Sequence, residues 1–354
     1  EAEMDHPVYV LGPDLYYKTR DEVVKGIENI SKIILSGLQK TNFPISYPNQ
    51  TKVLHELMKL IHDNDFDETK RIYPSMFLGP SSKTLQIENI VSNGENLNTP
   101  NIRTNYLVTE KADGIRNLLF INNDGLIYLL NMNMEIIFTG AKSDNDSVYN
   151  SILDGELILH DRSGNFINLF ACFDIYYLNK KDIRHYPFLK VEENKFENRL
   201  ELMQKLINGL GIKMVNKSKS NEFNIRSKKF YPNDSNIENR IFGACNLLLN
   251  SIAERQFVYN TDGLIFTPAL FGVGSDQEGK AGPKKKIGWE YSLKWKPPEF
   301  NTIDFLVTTL KDKNNSDLIT PIFENGKNVE LNNQLTQYKT LILRCGFDES
   351  IHGY

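Results

Sequence analysis

Glu110-Lys111-Ala112-Asp113-Gly114-Ile115-Arg116 stands between two apolar runs, Tyr106-Leu107-Val108 and Leu118-Leu119-Phe120-Ile121. The runs read as strands and the Asp-Gly between them as a turn, since glycine accepts positive φ and aspartate bonds its own backbone. A lysine placed there is held at a strand end, beside a carboxylate and a guanidinium. Taken alone, the heptapeptide fits an ordinary hairpin with solvated charges as well as it fits a reactive site.

Strand-like runs continue at residues 126–130, 135–138, 151–153, 157–159 and 166–177, separated by Asn-Asp-Gly, Asp-Asn-Asp and Ser-Gly turns. Such spacing predicts antiparallel hairpins and argues against a doubly wound parallel sheet. Helical spacing appears before and after them. Val23, Ile27, Ile30, Ile34 and Leu38 recur on one face until Gly37 and Pro44, and Val53, Leu57, Leu60 and Ile61 follow. Both are expected to be packing elements without chemistry. Leu200, Met203, Leu206, Ile207 and Leu210 predict a third helix stopped by Gly211, and Ile237, Ile241, Ala244, Leu248 and Leu249 a fourth. Residues 71–105 are rich in turns, and 302–307 and 340–343 are strand-like. The fold class is α+β, with a helical region at 1–70, an antiparallel-sheet domain at 71–298 and a short domain at 299–354.

A chain of 354 residues has room for two cores. A net charge of −4 excludes a globally basic nucleic-acid binder, so any such contact must be local. The best local candidate is 213–231, where Lys213, Lys217, Lys219, Arg226, Lys228 and Lys229 interleave with Phe223, Phe230 and Tyr231. Three scattered cysteines offer neither zinc spacing nor an even disulfide count, which points to a reducing compartment. No apolar run reaches membrane-spanning length, so no membrane partner is expected. The glycines from 272 to 282 with Lys284-Lys285-Lys286 lack the Gly-Lys-Ser/Thr ending of a phosphate loop and read as a mobile basic loop.

Four further islands follow the lysine: Leu153-Asp154-Gly155-Glu156-Leu157, Phe170-Ala171-Cys172-Phe173-Asp174-Ile175-Tyr176-Tyr177, Thr261-Asp262-Gly263-Leu264-Ile265-Phe266 and Ser292-Leu293-Lys294-Trp295-Lys296-Pro297-Pro298. Each is common alone. Together with Lys-x-Asp-Gly-x-Arg, and in this order, they resemble the motifs of the covalent nucleotidyltransferases, which comprise mRNA capping guanylyltransferases and polynucleotide ligases. The resemblance covers roughly residues 75–310. It implies an antiparallel nucleotidyltransferase domain followed by an oligonucleotide-binding (OB) fold, incomplete here.

It also implies roles. Lys111 is the nucleophile. Lysine attacks only when neutral, and Lys294 and Lys296 across the site would disfavour a third charge while holding the α-phosphate. Their alternation puts both on one face of a strand, with Trp295 on the other. Glu156 and Asp262 supply hard oxygens suited to Mg²⁺ or Mn²⁺. Arg116 resembles the residue that bonds the ribose, Phe173 stacks on the base, Asp113 orders the turn, and Glu110 completes the nucleotide-binding set.

Capping is favoured over ligation by Asp-Gly-Leu-Ile-Phe at 262–266, by Lys-Trp-Lys-Pro at 294–297 and by residues 223–231. The nearest likeness is to the large capping subunit of large cytoplasmic DNA viruses. It implies GTP as substrate, 5′-diphosphate RNA as acceptor, triphosphatase and methyltransferase domains in one longer polypeptide, and a place in the cytoplasm, in a viral factory or virion. Glu1-Ala2-Glu3 would then be the tail of a triphosphatase strand. Two departures stand against this. Asn131-Met132-Asn133 replaces the Asp-Arg that follows the matching family strand, and Leu343-Arg344-Cys345-Gly346-Phe347-Asp348 does not substitute for the sixth motif, Arg-x-Asp-Lys. An ATP-dependent ligase and an inactive nucleotide- or RNA-binding module remain the alternatives.

Overall fold

The apolar and β-branched runs downstream of Tyr106 bury themselves by forming two sheets, and the decisive heptapeptide is where the chain passes from one to the other. The computed structural model describes residues 19–63, 65–91, 99–189, 197–215, 222–233, 240–302, 304–321 and 337–346. Glu1-Ala2-Glu3, Lys217, Lys219, Ile237, Phe347 and Asp348 lie outside the described residues.

Two helices, α1 (Arg20–Gln39) and α2 (Tyr47–Ile61), precede a short strand, β1 (Ser81–Thr84). Then come β2 (Tyr106–Ala112), β3 (Ile115–Ile121), β4 (Leu126–Asn131), β5 (Ile136–Ser143), β6 (Ser151–His160), β7 (Phe166–Leu178) and β8 (Lys181–Asp182). After α3 (Arg199–Gly209) the chain forms β9 (Ile212–Met214), β10 (Asn224–Ser227) and β11 (Tyr231–Pro232). It closes this unit with α4 (Ile241–Ala253), β12 (Thr261–Pro268) and β13 (Gly288–Trp295). The smaller sheet runs β1-β13-β12-β2-β11, and the larger β10-β7-β6-β3-β4-β5-β9, with β8 beside β7. All these pairings are antiparallel except β1–β13 and β7–β10.

β2 and β3 therefore do not form a hairpin, because they belong to different sheets. Gly114 is favoured by close packing rather than by positive φ. A β-carbon there would come within 3.0 Å of the Leu157 carbonyl oxygen and 3.1 Å of Glu156 Cβ, so the crossing chain lies directly on β6. Residues 151–153 and 157–159, expected as two strands, are one: Asp154-Gly155-Glu156 runs through the middle of β6.

Three apolar clusters hold this unit. One packs α3 under β3–β7, through Leu119, Leu153, Phe170, Met203 and Leu206. A second packs α2 against β3 and β4, through Leu57, Met58, Ile61, Leu118, Phe120 and Leu130. The third sets α4 on the smaller sheet, through Ala244, Leu248, Val108, Phe266 and Leu293. α2 starts at Ser46, whose side chain accepts from the Asn49 amide, with proline in the first turn. α3 ends where expected, with Gly211 in the left-handed region at φ +57° just beyond it. α1 runs through Gly37 to Gln39, and its apolar stripe is not packed: Ile27, Ile30, Ile34 and Leu38 are exposed. The loop expected to be mobile is anchored. Val273 is buried and donates to the Arg184 carbonyl, the Gly282 amide donates to Val273, Trp289 Nε1 donates to Ser275, and Lys284 pairs with Asp63.

Residues 297–354 form a second compact unit, separate from 1–296. In it β14 (Leu306–Thr309) pairs with β17 (Leu341–Arg344) and β15 (Ile319–Pro321) with β16 (Gln337–Lys339). Among the described residues these two-stranded ladders make up its sheet structure.

One buried ion pair joins α3 to the larger sheet. Arg199, with no exposure, donates from Nε to Asp174 at 2.8 Å and from a terminal nitrogen to the other Asp174 oxygen at 3.2 Å, and it also reaches the carbonyls of Tyr186 and Phe271. Replacing only one member strands the other charge in the core. Arg199→Met is expected to lower unfolding stability by about 3–5 kcal/mol in urea titrations, with much of the loss recovered in Arg199→Met/Asp174→Leu.

Candidate active site

Three elements bring the decisive charges together. Lys111 comes from the end of β2, Asp262 from the start of β12 and Lys296 from just past β13. Lys111 Nζ donates to Asp262 Oδ1 at 2.8 Å, and Lys296 Nζ lies 2.7 Å from Asp262 Oδ2, so one carboxylate bridges two ammonium groups. Burial works against the Asp262 charge, but hydrogen bonds from both lysines outweigh it and hold the carboxyl below its usual range.

A bulge puts Asp262 there. Between Thr261 and Leu264, three steps along β12 match two along β2, and the extra residue bends the strand. Gly263 has φ +149°, and a β-carbon on it would lie 2.0 Å from the Trp295 carbonyl oxygen. Only glycine allows the two strands to approach this closely at Asp262 and Lys296.

Lys294 and Lys296 have different neighbours. Lys294 pairs in register with Ile265 and, among the described residues, makes no ion pair, whereas Lys296 is taken up by Asp262. Trp295, between them, packs with the α4 cluster.

Glu156 stands opposite on β6. Its Oε2 is buried with no hydrogen-bond partner among the described residues. Desolvation, opposed by Lys228 and Lys111 and reinforced by Asp262 and Asp154, raises its pKa above the usual value. An orphaned carboxylate oxygen beside Lys111 and Asp262 suits a hard divalent ion that takes one or two carboxylates and completes its shell with phosphate and water. No group of three or more His, Cys, Asp or Glu able to form an all-protein cage occurs among the described residues.

Arg116 is already engaged. It grips Asp154 through Nε at 3.1 Å and a terminal nitrogen at 2.6 Å, and donates to the Pro80 carbonyl at 2.7 Å. Tyr176 donates its hydroxyl to the same, fully buried Asp154. The guanidinium carbon lies 5.6 Å from the Phe77 ring centroid and 5.8 Å from that of Phe173. Phe173 is itself a bulge residue: Asp154 and Gly155 on β6 face Asp174 and Cys172 on β7, leaving Phe173 as the extra one. Asp113 is exposed at the sheet crossing, and its amide donates to the Asn260 carbonyl. Asn131, in place of the family's Asp-Arg, closes the β4–β5 turn by accepting from the amides of Asn133 and Glu135.

Glu110 is separate from the lysine cluster. It is buried, accepts from Tyr259 at 2.8 Å and Thr109 at 2.8 Å, and lies 3.4 Å from the buried Lys228 ammonium. Sequence reasoning assigned no partner to Asp154, Tyr176, Tyr259 or Lys228. Asp154 was findable, since a residue two before Glu156 on one strand shares its face. Nothing in Lys228-Lys229 distinguishes the buried lysine from the exposed one.

The catalytic-domain model of mRNA capping enzymes matches residues 79–298, which include Lys111, Arg116, Glu156, Phe173, Asp262, Lys294 and Lys296. The chain belongs to the mRNA capping enzyme family. It is 27% identical over 216 residues to the mRNA-capping enzyme of Danio rerio (58% of this chain, 31% of that protein). To a probable mRNA-capping enzyme of Acanthamoeba polyphaga mimivirus it is 25% identical over 321 residues (80% and 24%). To mRNA-capping enzyme subunit alpha of Schizosaccharomyces pombe it is 28% identical over 221 residues (57% and 48%). Its matches thus span between a quarter and half of those relatives' lengths. Among solved structures, mycobacterial DNA ligase D complexed with ATP and MES aligns at TM-score 0.37 and 12% identity over 66% of this chain and 62% of that one. No helix among the described residues is long and apolar enough to cross a membrane.

The raised Glu156 pKa fixes the sign of a stability test on this capping-enzyme domain. Where folded-state pKa exceeds the unfolded value, the unfolded state binds fewer protons above about pH 4.5, so stability falls as pH rises. Glu156→Gln is expected to leave stability at pH 7 equal or higher, and to flatten its fall between about pH 4 and 7. Urea midpoints for both proteins across that range measure it.

Proposed function

We propose that this chain is an mRNA guanylyltransferase working through a covalent lysyl-GMP. The observation that carries the reading is the Lys111–Asp262–Lys296 bridge beside the unbonded Glu156 oxygen. Lys111 Nζ loses a proton to bulk water, and the neutral amine attacks the α-phosphorus of GTP. An N–P bond forms, the P–O bond to the β-phosphate breaks, and pyrophosphate leaves. A terminal oxygen of 5′-diphosphate RNA then attacks the same phosphorus, the N–P bond breaks, and Lys111 is regenerated. Splitting one displacement into two is the gain of a covalent route.

The bridge gives each residue a task. Asp262 holds the Lys111 nitrogen in place, and attack requires that hydrogen bond to be exchanged. Lys296, and Lys294, which makes no ion pair among the described residues, offset the negative charge that accumulates on the α-phosphate oxygens. Phe173 offers its ring to the base. Arg116, fixed by Asp154 and Pro80, presents its remaining N–H groups and a rigid edge beside Phe173 to the ribose. Glu156 and Asp262 would hold Mg²⁺ or Mn²⁺, whose charge offsets that of the phosphates when bound. The second unit, 297–354, is read as part of an OB-fold, and triphosphatase and methyltransferase activities are assigned to other parts of a longer polypeptide. The related capping enzymes and the Lys-Trp-Lys-Pro run favour this reading over a ligase.

Mass spectrometry after incubation with GTP and Mg²⁺ tests it. One added GMP mapped to Lys111 is expected, absent in Lys111→Ala; an adduct from ATP alone would instead mark a ligase. Lys296→Ala and Lys294→Ala are each expected to slow adduct formation at least ~100-fold, the usual scale for losing one transition-state charge partner.

A further inference from the structure

The basic run at 213–231 resolves into unlike parts. Lys213 pairs with Asp144 at the far edge of the larger sheet, and Lys228 is buried against Glu110. Arg226 and Lys229 remain exposed, and neither makes an ion pair among the described residues. The Lys229 ammonium lies 4.7 Å from the Tyr231 ring centroid. Arg226 and Lys229 line a cavity of about 500 Å³ between β7, β10 and residues 256–259, with Phe166, Phe257 and Tyr259 among its walls.

We propose that this groove receives the 5′-proximal nucleotides of the acceptor RNA, an inference that rests on the guanylyltransferase reading. Two unpaired cations beside aromatic rings make the combination that tracks a single strand: charge for the phosphates and ring faces for the bases. Phe166 is 49% exposed, which leaves its ring open to stacking. Lys228 and Glu110 neutralise one another in the wall, so among the described lining residues Arg226 and Lys229 oppose only Glu222 at the rim. In a chain of net charge −4 such a patch has to be local.

Register ties the groove to the reaction. Arg226 pairs with Ala171 and Ala171 with Glu156, so the three occupy one row on one face of the larger sheet. Two strand spacings, about 10 Å, separate Arg226 from Glu156. Glu110, which lines the groove, is the residue preceding Lys111. The lining includes neither Lys111, Lys296 nor Asp262, so the groove lies beside the nucleotide-handling charges and is distinct from them.

The experiment compares the chain with Arg226→Ala/Lys229→Ala and with Phe166→Ala. GMP adduct formation from GTP, GMP transfer to a 5′-diphosphate RNA about ten nucleotides long, and anisotropy of that RNA labelled at its 3′ end are measured. The expected result is adduct formation within about twofold of the parent, a KM for RNA raised about tenfold in the double variant and severalfold in Phe166→Ala, and a salt slope of RNA binding smaller by about 1.4, or 0.7 per cation removed. Unchanged KM and salt slope overturn the proposal, as does lost adduct formation with RNA binding intact, which would assign the groove to the nucleotide. Displacement of the RNA by an acidic peptide of equal charge at equal concentration also overturns it. Should the parent chain form no adduct, the guanylyltransferase reading fails, while the anisotropy arm still decides the groove.

Discussion

A carboxylate shared between two lysines is the constraint from which the rest of this site follows. Lys111 and Asp262 come from two strands of the smaller sheet and Lys296 from just past the end of a third, and their ion pairs at 2.8 and 2.7 Å hold those strand ends at one point. Three like-charged side chains would push the strands apart, and Lys111 and Lys296 facing each other alone would do the same. Asp262 makes their proximity favourable, its two oxygens each taking one ammonium group. The site is therefore assembled before substrate arrives, which is what an electrostatically driven displacement needs.

The second sheet contributes differently. Its strands carry Arg116, Asp154, Glu156 and Phe173, and most of their polar groups are satisfied locally: Arg116 and Tyr176 converge on Asp154, and Arg199 secures Asp174 one bulge away. Glu156 is the exception. A buried carboxylate oxygen without a partner costs stability, and structures retain such groups where function uses them. Asp154 and Glu156, two residues apart on one strand, thus differ in kind: the first is satisfied by Arg116 and Tyr176, and the second has a buried oxygen with no hydrogen-bond partner among the described residues.

Much of this was legible in the sequence because alternation and order are. The strand-rich stretch, its antiparallel character, α3 with its glycine stop, and the five motifs in sequence all follow from period, turn residues and resemblance. What escaped was departure from period. Asp262 and Phe173 sit on bulges, and an extra residue in one strand leaves no mark in the hydrophobic pattern. Asp113-Gly114 looked like a hairpin turn because local chemistry does not say which sheet the next strand joins. The burial of Lys228 depends on Glu110, 118 residues away, and α1 shows the converse, an amphipathic stripe whose periodicity implied packing that the described residues do not supply.

The close approach at Gly263 has a consequence for how this region tolerates change. Because a main-chain oxygen fills the space where a side chain would begin, the separation of Asp262 from Lys296 is set by two backbones in contact, not by the volumes of the residues around them. Leu264, Phe266 and Leu293 behind the strands can exchange for other apolar residues, and the core can repack, without altering that distance. The charge geometry is thus insulated from drift in the hydrophobic layer beneath it, and the insulation depends on one missing methyl group.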